Sequence, residues 1–256
     1  MLFRSICTPH NLHLEQVIEA ARHPSVRAIF CEKPMALSSQ DVNLILDVCR
    51  KEKVFVLVNY WMRYSILYRN IKSRLQENYF GSIDYVLYTY SKGIINSGSH
   101  AINLMIYLFG RPLWVQAGCN YDIGTNDNNV DGMMYMENGT MIHFACGDWR
   151  NHFTTDQQIY GSDKMIRIEE NGRLVSLYSK KIHPLFPDTM ELNPCFDLTF
   201  STELGNPMLT AIDEIISLLD GELSIATSTV EDELVTIKTS SEEHTSELQS
   251  RQVISY

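Results

Sequence analysis

The first sixty residues alternate between short apolar segments and amphipathic helical patterns. Residues 26–31 and residues 54–58 are the apolar segments, and each has the length of a buried strand. Apolar side chains recur at helical spacing in the segments that precede them, after Asn11 as a helix cap in one and after Ser38 or Ser39 in the other. Strands that alternate with helices pair in parallel, so this pattern predicts an α/β fold with part of a doubly wound, Rossmann-type sheet.

After residue 60 the pattern changes from alternation to a long run of strands. A helix over residues 65–77, a strand over 83–90 and a helix over 99–110 come first. Asn138-Gly139 and Asn171-Gly172 then predict two-residue hairpin turns between β-rich segments. The predicted strands span residues 113–119, 130–136, 141–148, 155–160, 165–170 and 174–178, and the predicted helices that follow them span 207–219 and 230–239. This run predicts a second, α+β domain with a large, mostly antiparallel open sheet.

Composition and charge restrict the partners. With 45% hydrophobic and 20% charged residues, the balance is that of a soluble globular protein. The net charge of -10 disfavours nucleic acid and anionic membrane surfaces. No apolar segment approaches the roughly 18 residues that a membrane span needs. Six scattered cysteines are typical of free thiols, which predicts a cytoplasmic protein without disulfides.

Both ends of the chain depart from this pattern. Residues 241–256 lack apolar periodicity and resemble a translated sequencing adapter, so we exclude them from the predicted fold and place the domain boundaries at 1–60 and 61–240. Gly81 is the first glycine, so the first eighty residues contain no glycine-rich phosphate loop. We therefore expect the chain to be an inactive fragment of a longer protein.

Four short motifs, in this order, carry a family resemblance. They are Thr8-Pro9 with His13, Glu32-Lys33-Pro34, Gly98 with His100 and Leu104, and Ile159 with Gly161. In this order and with these flanking elements, the sequence resembles the Gfo/Idh/MocA family of oxidoreductases, which includes glucose-fructose oxidoreductase and inositol dehydrogenase. Lys164 stands where that family has a second glycine in the last motif.

The resemblance implies an enzyme that uses NAD or NADP to transfer a hydride to or from a sugar, nucleotide sugar or cyclitol. It implies that Lys33 and His100 are catalytic. The resemblance also places a group of residues beside the cofactor, namely Thr8, Pro9, His13, Glu32 and Pro34. Family members commonly form dimers or tetramers through the open sheet, which implies self-association through residues 113–178.

The chemistry of the two predicted catalytic residues agrees with this role. Oxidation of a secondary alcohol needs a base for the hydroxyl proton and benefits from a cation near the forming carbonyl. His100 is the better base because its free pKa is near neutrality, and a partly desolvated Lys33 can share the proton or polarise the oxygen. Asn96 stands where many members have aspartate, and we expect its amide to orient His100 by a hydrogen bond.

Several of these residues have a second interpretation. His13 is alternatively an exposed residue of a first helical turn, and Glu32 a surface acid. Trp61 and Arg63 either face the substrate or are a core aromatic and a solvated base. His143 and His152 stand too far from other ligands in the sequence for a metal site, so none is predicted. A non-catalytic regulatory protein that binds NAD(P) or a sugar on the same scaffold is the competing function, and Asn96 keeps it open.

Overall fold

A small parallel sheet forms the first part of the structure. The computed structural model describes residues 2–121 and 127–240, so the predicted adapter segment lies outside it. Strands β1 (Phe3–Ile6), β2 (Ala28–Cys31) and β3 (Phe55–Val58) pair in parallel in that order. Helices α1 (His13–Arg22) and α2 (Ser39–Glu52) make the crossovers. The predicted α/β organisation with a Rossmann-type sheet is confirmed.

One of the two predicted helix caps is confirmed and the other is wrong. Ser38 caps α2, since its side chain accepts a hydrogen bond from the backbone N–H of Asp41. The predicted cap at Asn11 is wrong, because a 3₁₀ turn over His10–Leu12 comes first and α1 begins at His13 without a side-chain cap. The start of α1 is therefore set by the 3₁₀ turn before it and by burial of the apolar face of α1, rather than by a capping side chain.

A second, larger sheet follows. Its eight strands are β4 (Ile83–Ser91), β5 (Pro112–Tyr121), β6 (Asn129–Met136), β7 (Met141–Gly147), β8 (Gln157–Gly161), β9 (Lys164–Glu169), β10 (Leu174–Ile182) and β11 (Met190–Cys195). They lie in the order β11-β10-β9-β8-β4-β7-β6-β5, and only β4 and β7 pair in parallel. The predicted mostly antiparallel sheet is thus confirmed. Strand β11 was not predicted, because it carries Asn193 and Pro194 and lies at the edge, where proline is tolerated.

Both predicted Asn-Gly turns connect neighbouring antiparallel strands. One joins β6 to β7 and the other joins β9 to β10. Gly139 and Gly172 each adopt a φ of +87°, in the left-handed region that glycine reaches without steric cost. The predicted two-residue length is wrong, because residues 137–140 separate β6 from β7 and residues 170–173 separate β9 from β10.

Two helices cover one face of the large sheet. They are α3 (Ile66–Gln76) and α4 (Ser99–Phe109). Tyr68, Leu104 and Met105 pack with strand residues such as Val86 and Ile142 in one apolar core. Helix α4 ends at Gly110, whose φ of +91° stops the helix as predicted.

The last two helices return to the small sheet. On one face, α5 (Pro207–Leu219) packs Ile215 against Phe30 and Leu57. On the other face, α6 (Val230–Ser240) packs Ile237 with the core of α2. The parallel sheet is therefore covered on both sides, as such sheets require. The domain boundary at residue 60 stays a prediction.

The described helices are short. Helix α2 has 14 residues, and none of the helices within residues 2–121 and 127–240 is long and apolar enough to cross a bilayer.

Cys31 and Cys49 are buried free thiols, and Cys7 is an exposed one.

We expect Ile45→Ala on α2 to lower the free energy of unfolding by about 2–5 kcal/mol, because Ile45 is fully buried between α2 and the sheet. Leu44→Ala is the matched control on the same helix. Leu44 is 53% exposed, so its truncation should change stability by about 0.5 kcal/mol or less. Urea unfolding measures both variants, and equal losses would contradict this packing.

Candidate active site

The loops after the three parallel strands meet at one edge of the small sheet. The strand ends Ile6, Cys31 and Val58 lie level in the pairing register. The backbone N–H of Glu32 donates to the carbonyl of Ile6 at 2.9 Å, and Asn59 Nδ2 donates to Glu32 Oε1 at 2.7 Å. This edge is where open α/β sheets bind ligands. Glu32 is half-buried and holds two of the three loops together.

Lys33 crosses from this edge to the second part of the chain. Its Nζ donates to the backbone oxygen of Asn96 at 2.6 Å and to Asn96 Oδ1 at 3.0 Å. Burial lowers the pKa of Lys33, and the negative charges of Glu32, Asp127 and Glu233 oppose part of that shift. The lysine is therefore partly desolvated, and its ammonium already has two acceptors.

An irregular turn presents Asn96 to the lysine. Residues Gly93–Gly98 form a single π-type turn before α4, a feature that is frequent at functional sites. Asp127 accepts hydrogen bonds from the backbone N–H groups of Ile95 and Asn96, both at 2.8 Å. Gly93 has a φ of +81°, and a Cβ there would collide with the carboxylate of Asp127. Nothing local in the sequence distinguishes Asp127 from an ordinary loop acid, so only the structure reveals this contact.

His100 lies half-buried in the first turn of α4. Within the described residues its Nδ1 is buried and has no hydrogen-bond partner. Burial, followed by the nearby charge of Lys33, lowers the pKa of His100 to about 3, so the ring is neutral at physiological pH. The predicted hydrogen bond from Asn96 to His100 is wrong, because the Asn96 amide oxygen binds Lys33 instead.

Tyr60 and Glu233 contact the site from the protein interior. The ring of Tyr60 meets His100 edge to face, with centroids 5.5 Å apart and planes at 82°. Its hydroxyl donates to Glu233 Oε2 at 2.6 Å, and the backbone N–H of Met35 donates to Glu233 Oε1 at 2.8 Å. Burial raises the pKa of Glu233 to about 7 and that of Tyr60 well above its usual value. Sequence reasoning missed Glu233, which looks like one of three solvated acids in a first helical turn.

His13 is buried between the loop that follows β1 and the loop that follows β2. Its Nδ1 lies 2.8 Å from the carbonyl of Pro34, and its Nε2 lies 2.8 Å from the carbonyl of Thr8. The exposed alternative is therefore wrong. The ring joins the loop of Thr8 and Pro9, which is exposed at Pro9, to the loop that carries Lys33.

Arg63 is buried, so its interpretation as a solvated base is wrong. Its Nε donates to Asn103 Oδ1 at 2.6 Å, and its guanidinium also reaches the carbonyls of Asn103 and Thr227 and the carboxylate of Asp232. The side chain thereby ties α4 to α6. Trp61 is half-buried and packs against the core of the large sheet.

A cavity of about 370 Å³ lies beside the site but does not include its reactive groups. Gly98, Ser99 and Ile102 line it on another face of α4 than the one that carries His100. Of the predicted site residues only Pro34 contributes to its wall. Within residues 2–121 and 127–240, no three His, Cys, Asp or Glu side chains are grouped to hold a metal ion.

The geometry of the site fits the nicotinamide end of a dinucleotide cofactor. Loops from three parallel strands converge, and the orphaned Nδ1 of His100 and the ammonium of Lys33 lie at their edge. Such a polar, partly buried edge fits the nicotinamide end of NAD. Residues 1–80 contain no glycine that would let the backbone approach the pyrophosphate.

Two family models match the chain, and together they cover more than half of it. The N-terminal model describes an oxidoreductase family with an NAD-binding Rossmann fold and matches residues 4–60. The second is the Gfo/Idh/MocA C-terminal domain and matches residues 69–167. Their boundary falls between β3 and α3, where the sequence pattern also changes.

Curated relatives match over a shorter stretch. An uncharacterized oxidoreductase from Streptococcus pneumoniae is 35% identical over 80 residues, which is 31% of this chain and 21% of that protein. A 2,7-anhydro-N-acetylneuraminate hydratase from Mediterraneibacter gnavus is 34% identical over 80 residues, again 31% of this chain and 21% of that protein. The matched stretch thus spans about a fifth of each relative.

A solved structure resembles the whole described fold. A putative myo-inositol dehydrogenase from Sinorhizobium meliloti superposes with a TM-score of 0.71 at 20% identity, covering 95% of this chain and 78% of that one. At this identity the likeness shows the fold alone. With both family models in chain order, the resemblance noted in the sequence is confirmed, and the chain belongs to the Gfo/Idh/MocA oxidoreductase family, which has an NAD-binding Rossmann fold.

Proposed function

We propose that these residues form the reactive centre of an NAD(P)-dependent oxidoreductase that acts on a secondary alcohol or the matching ketone. One observation carries this proposal. A desolvated Lys33 and a neutral His100 lie close together at the carboxyl ends of the strands of a Rossmann-type sheet. A bound nicotinamide supplies or accepts the hydride. Lys33, His100 and Asn96 handle the proton and the substrate oxygen.

His100 orients the hydroxyl. Its Nδ1 is shielded, so the hydrogen bond from the substrate hydroxyl goes to Nε2. With its pKa lowered to about 3, the imidazole is a weak base and stays neutral while it accepts this bond. The burden of taking the proton therefore moves from His100 toward Lys33.

Lys33 takes the proton in its neutral form. Desolvation lowers the pKa of its amine, which raises the neutral fraction at mildly alkaline pH. Asn96 acts as a positioning residue, because its two oxygens hold Nζ at 2.6 and 3.0 Å. In the reverse direction the protonated amine gives its proton to the ketone oxygen, and the same contacts aim it.

Cofactor and substrate contacts follow from the edge geometry. We assign Thr8, Pro9, Glu32 and Pro34 to the wall around the nicotinamide, and His13 to holding that wall together. Trp61 stays a candidate for the substrate side. The guanidinium of Arg63 already serves four hydrogen bonds to Asn103, Thr227 and Asp232, so we assign it to structure.

The substrate class is a sugar, nucleotide sugar or cyclitol. The name of one relative, a 2,7-anhydro-N-acetylneuraminate hydratase, supports a sugar-type substrate. The many hydroxyls of such a molecule suit an edge with several polar groups. We further propose a cytoplasmic protein that self-associates through the large sheet between residues 113 and 178.

The sequence predicts an inactive chain, so any turnover that the wild type retains should depend on both reactive residues. We expect Lys33→Met and His100→Leu each to lower kcat by about 10²–10⁴-fold, because each removes a group that handles the proton. The assay follows nicotinamide absorbance with millimolar NAD or NADP and a panel of inositols, sugars and nucleotide sugars. Lys51→Met, an exposed lysine on α2, is the control and should keep full activity. Binding of NADH without turnover of any panel member would instead favour the regulatory function.

The pH profile should identify the base. Alcohol oxidation should speed up as pH rises through the lowered pKa of Lys33, so the midpoint lies below the ordinary value of 10.5. Lys33→Arg keeps a positive charge throughout and should lose this rise. A profile that is unchanged in Lys33→Arg would remove Lys33 from the base role.

His100 should also link stability to pH. Its pKa is about 3 in the folded protein and 6.5 in the unfolded one, so its contribution is complete above 6.5 and is lost as pH falls toward 3. Glutamine does not titrate. We therefore expect the unfolding free energy of the wild type to fall relative to His100→Gln between about pH 6.5 and pH 4. Parallel stability curves would show that His100 is not held neutral by the fold.

A further inference from the structure

Glu233 is a buried titratable group of the site region that has no role in the proposed reaction. It lies on α6 and is fully buried, although it is a carboxyl group in the first turn of a helix. Burial of a carboxylate is costly unless hydrogen bonds compensate it. Two donors supply that compensation, and each belongs to a segment next to a reactive residue.

The first donor is attached to the lysine loop. The backbone N–H of Met35 lies two residues after Lys33 and donates to Glu233 Oε1 at 2.8 Å. Met35 itself is fully buried, so this bond anchors the loop from inside the protein. The other side of the same loop is held by His13 through the carbonyl of Pro34.

The second donor is attached to the histidine. Tyr60 donates its hydroxyl hydrogen to Glu233 Oε2 at 2.6 Å, and its ring packs edge to face on His100. Since Nδ1 of His100 has no partner within the described residues, packing has to orient the ring. The Tyr60 ring supplies the aromatic contact, and Glu233 fixes the tip of that ring.

We propose that Glu233 is a positioning residue that, through Met35 and Tyr60, holds Lys33 and His100 in one reactive arrangement. This inference rests on the proposed function for its catalytic meaning, while the arrangement itself can be measured without turnover. Glu233 lies in the first turn of α6, and its two carboxylate oxygens reach two different loops. A shorter or apolar side chain at this position cannot bridge them.

Two cationic side chains and a thiol lie close enough to Glu233 to interact with its charge. Lys33 and Arg63 stabilise its ionised form, while the burial of its carboxyl group opposes ionisation. The thiol of Cys31, on β2, is also close enough to feel its charge. Because Glu233 in turn raises the pKa of Lys33, its removal should make the lysine amine less basic. Glu233 therefore affects Lys33 both through the position of its loop and through its charge.

The test follows His100 in the full chain labelled with ¹³C at histidine Cε1. Between about pH 5 and pH 8 an ordinary histidine titrates, whereas the His100 signal should stay constant in the wild type. We expect Glu233→Leu to release Tyr60, admit water to the ring and make the His100 signal titrate in this range. Glu233→Gln keeps hydrogen-bonding groups at both positions and should restore the constant signal.

Glu231→Leu on the same turn of α6 is the matched control. Glu231 is exposed and pairs with the exposed Arg50, so its loss should leave the His100 signal unchanged. Helix content and the midpoint of thermal unfolding confirm that each variant is folded. A folded Glu233→Leu protein with an untitrated His100 signal would overturn the proposal.

Tyr60→Phe decides the matter if Glu233→Leu does not fold. It keeps the ring and removes only the hydroxyl that Glu233 holds. We expect the His100 signal at neutral pH to shift, because the ring beside it is no longer fixed, and an unmoved signal would overturn the proposal. Where turnover is found, Glu233→Leu should lower kcat by about tenfold or more with little change in KM for NAD. Absence of any NADH binding by the wild type at millimolar concentration refutes the proposed function, but the histidine spectra still test Glu233.

Discussion

The contact of helix α6 with the small parallel sheet holds the candidate site together. Ile237 packs with the core of α2, Asp232 pairs with the buried Arg63, and Glu233 takes hydrogen bonds from the loops after β2 and β3. These partners lie more than 160 residues apart in sequence. Buried polar groups are tolerated only where their partners are in place, so α6 can dock in one arrangement. That arrangement fixes the loop of Lys33 against the helix of His100.

Desolvation sets the chemistry of this junction. Burial lowers the pKa of Lys33 and of His100 and raises that of Glu233, so all three groups shift toward their neutral forms. The charge of Lys33 adds to the shift of His100 and opposes that of Glu233. Groups with shifted pKa values that cluster in this way are typical of functional sites. The proposed proton transfer rests on this cluster of neutral groups at the carboxyl ends of the parallel strands.

Local rules predicted the elements well and the polar contacts poorly. The cap at Ser38 and the stop at Gly110 follow from short-range chemistry, and the structure confirms them. Both Asn-Gly pairs lie in turns, but the turns are longer than the two residues predicted. The cap at Asn11 failed because a 3₁₀ turn competes with it. Asn96 was expected to contact His100, but the π-type turn before α4 points its oxygens to Lys33. A hydrogen bond between segments 63 residues apart leaves no periodic signal in either one.

The sequence by itself determined the class of fold, the order of its elements and the family, because apolar periodicity and motif spacing are local properties of the chain. It also identified Lys33 and His100 as candidates. Only the tertiary structure decided that His13 and Arg63 are buried supports, that Asp127 shapes the turn of Asn96, and that Glu233 lies beneath both reactive residues. These roles depend on which polar groups lose water together, and that is settled only when distant elements pack.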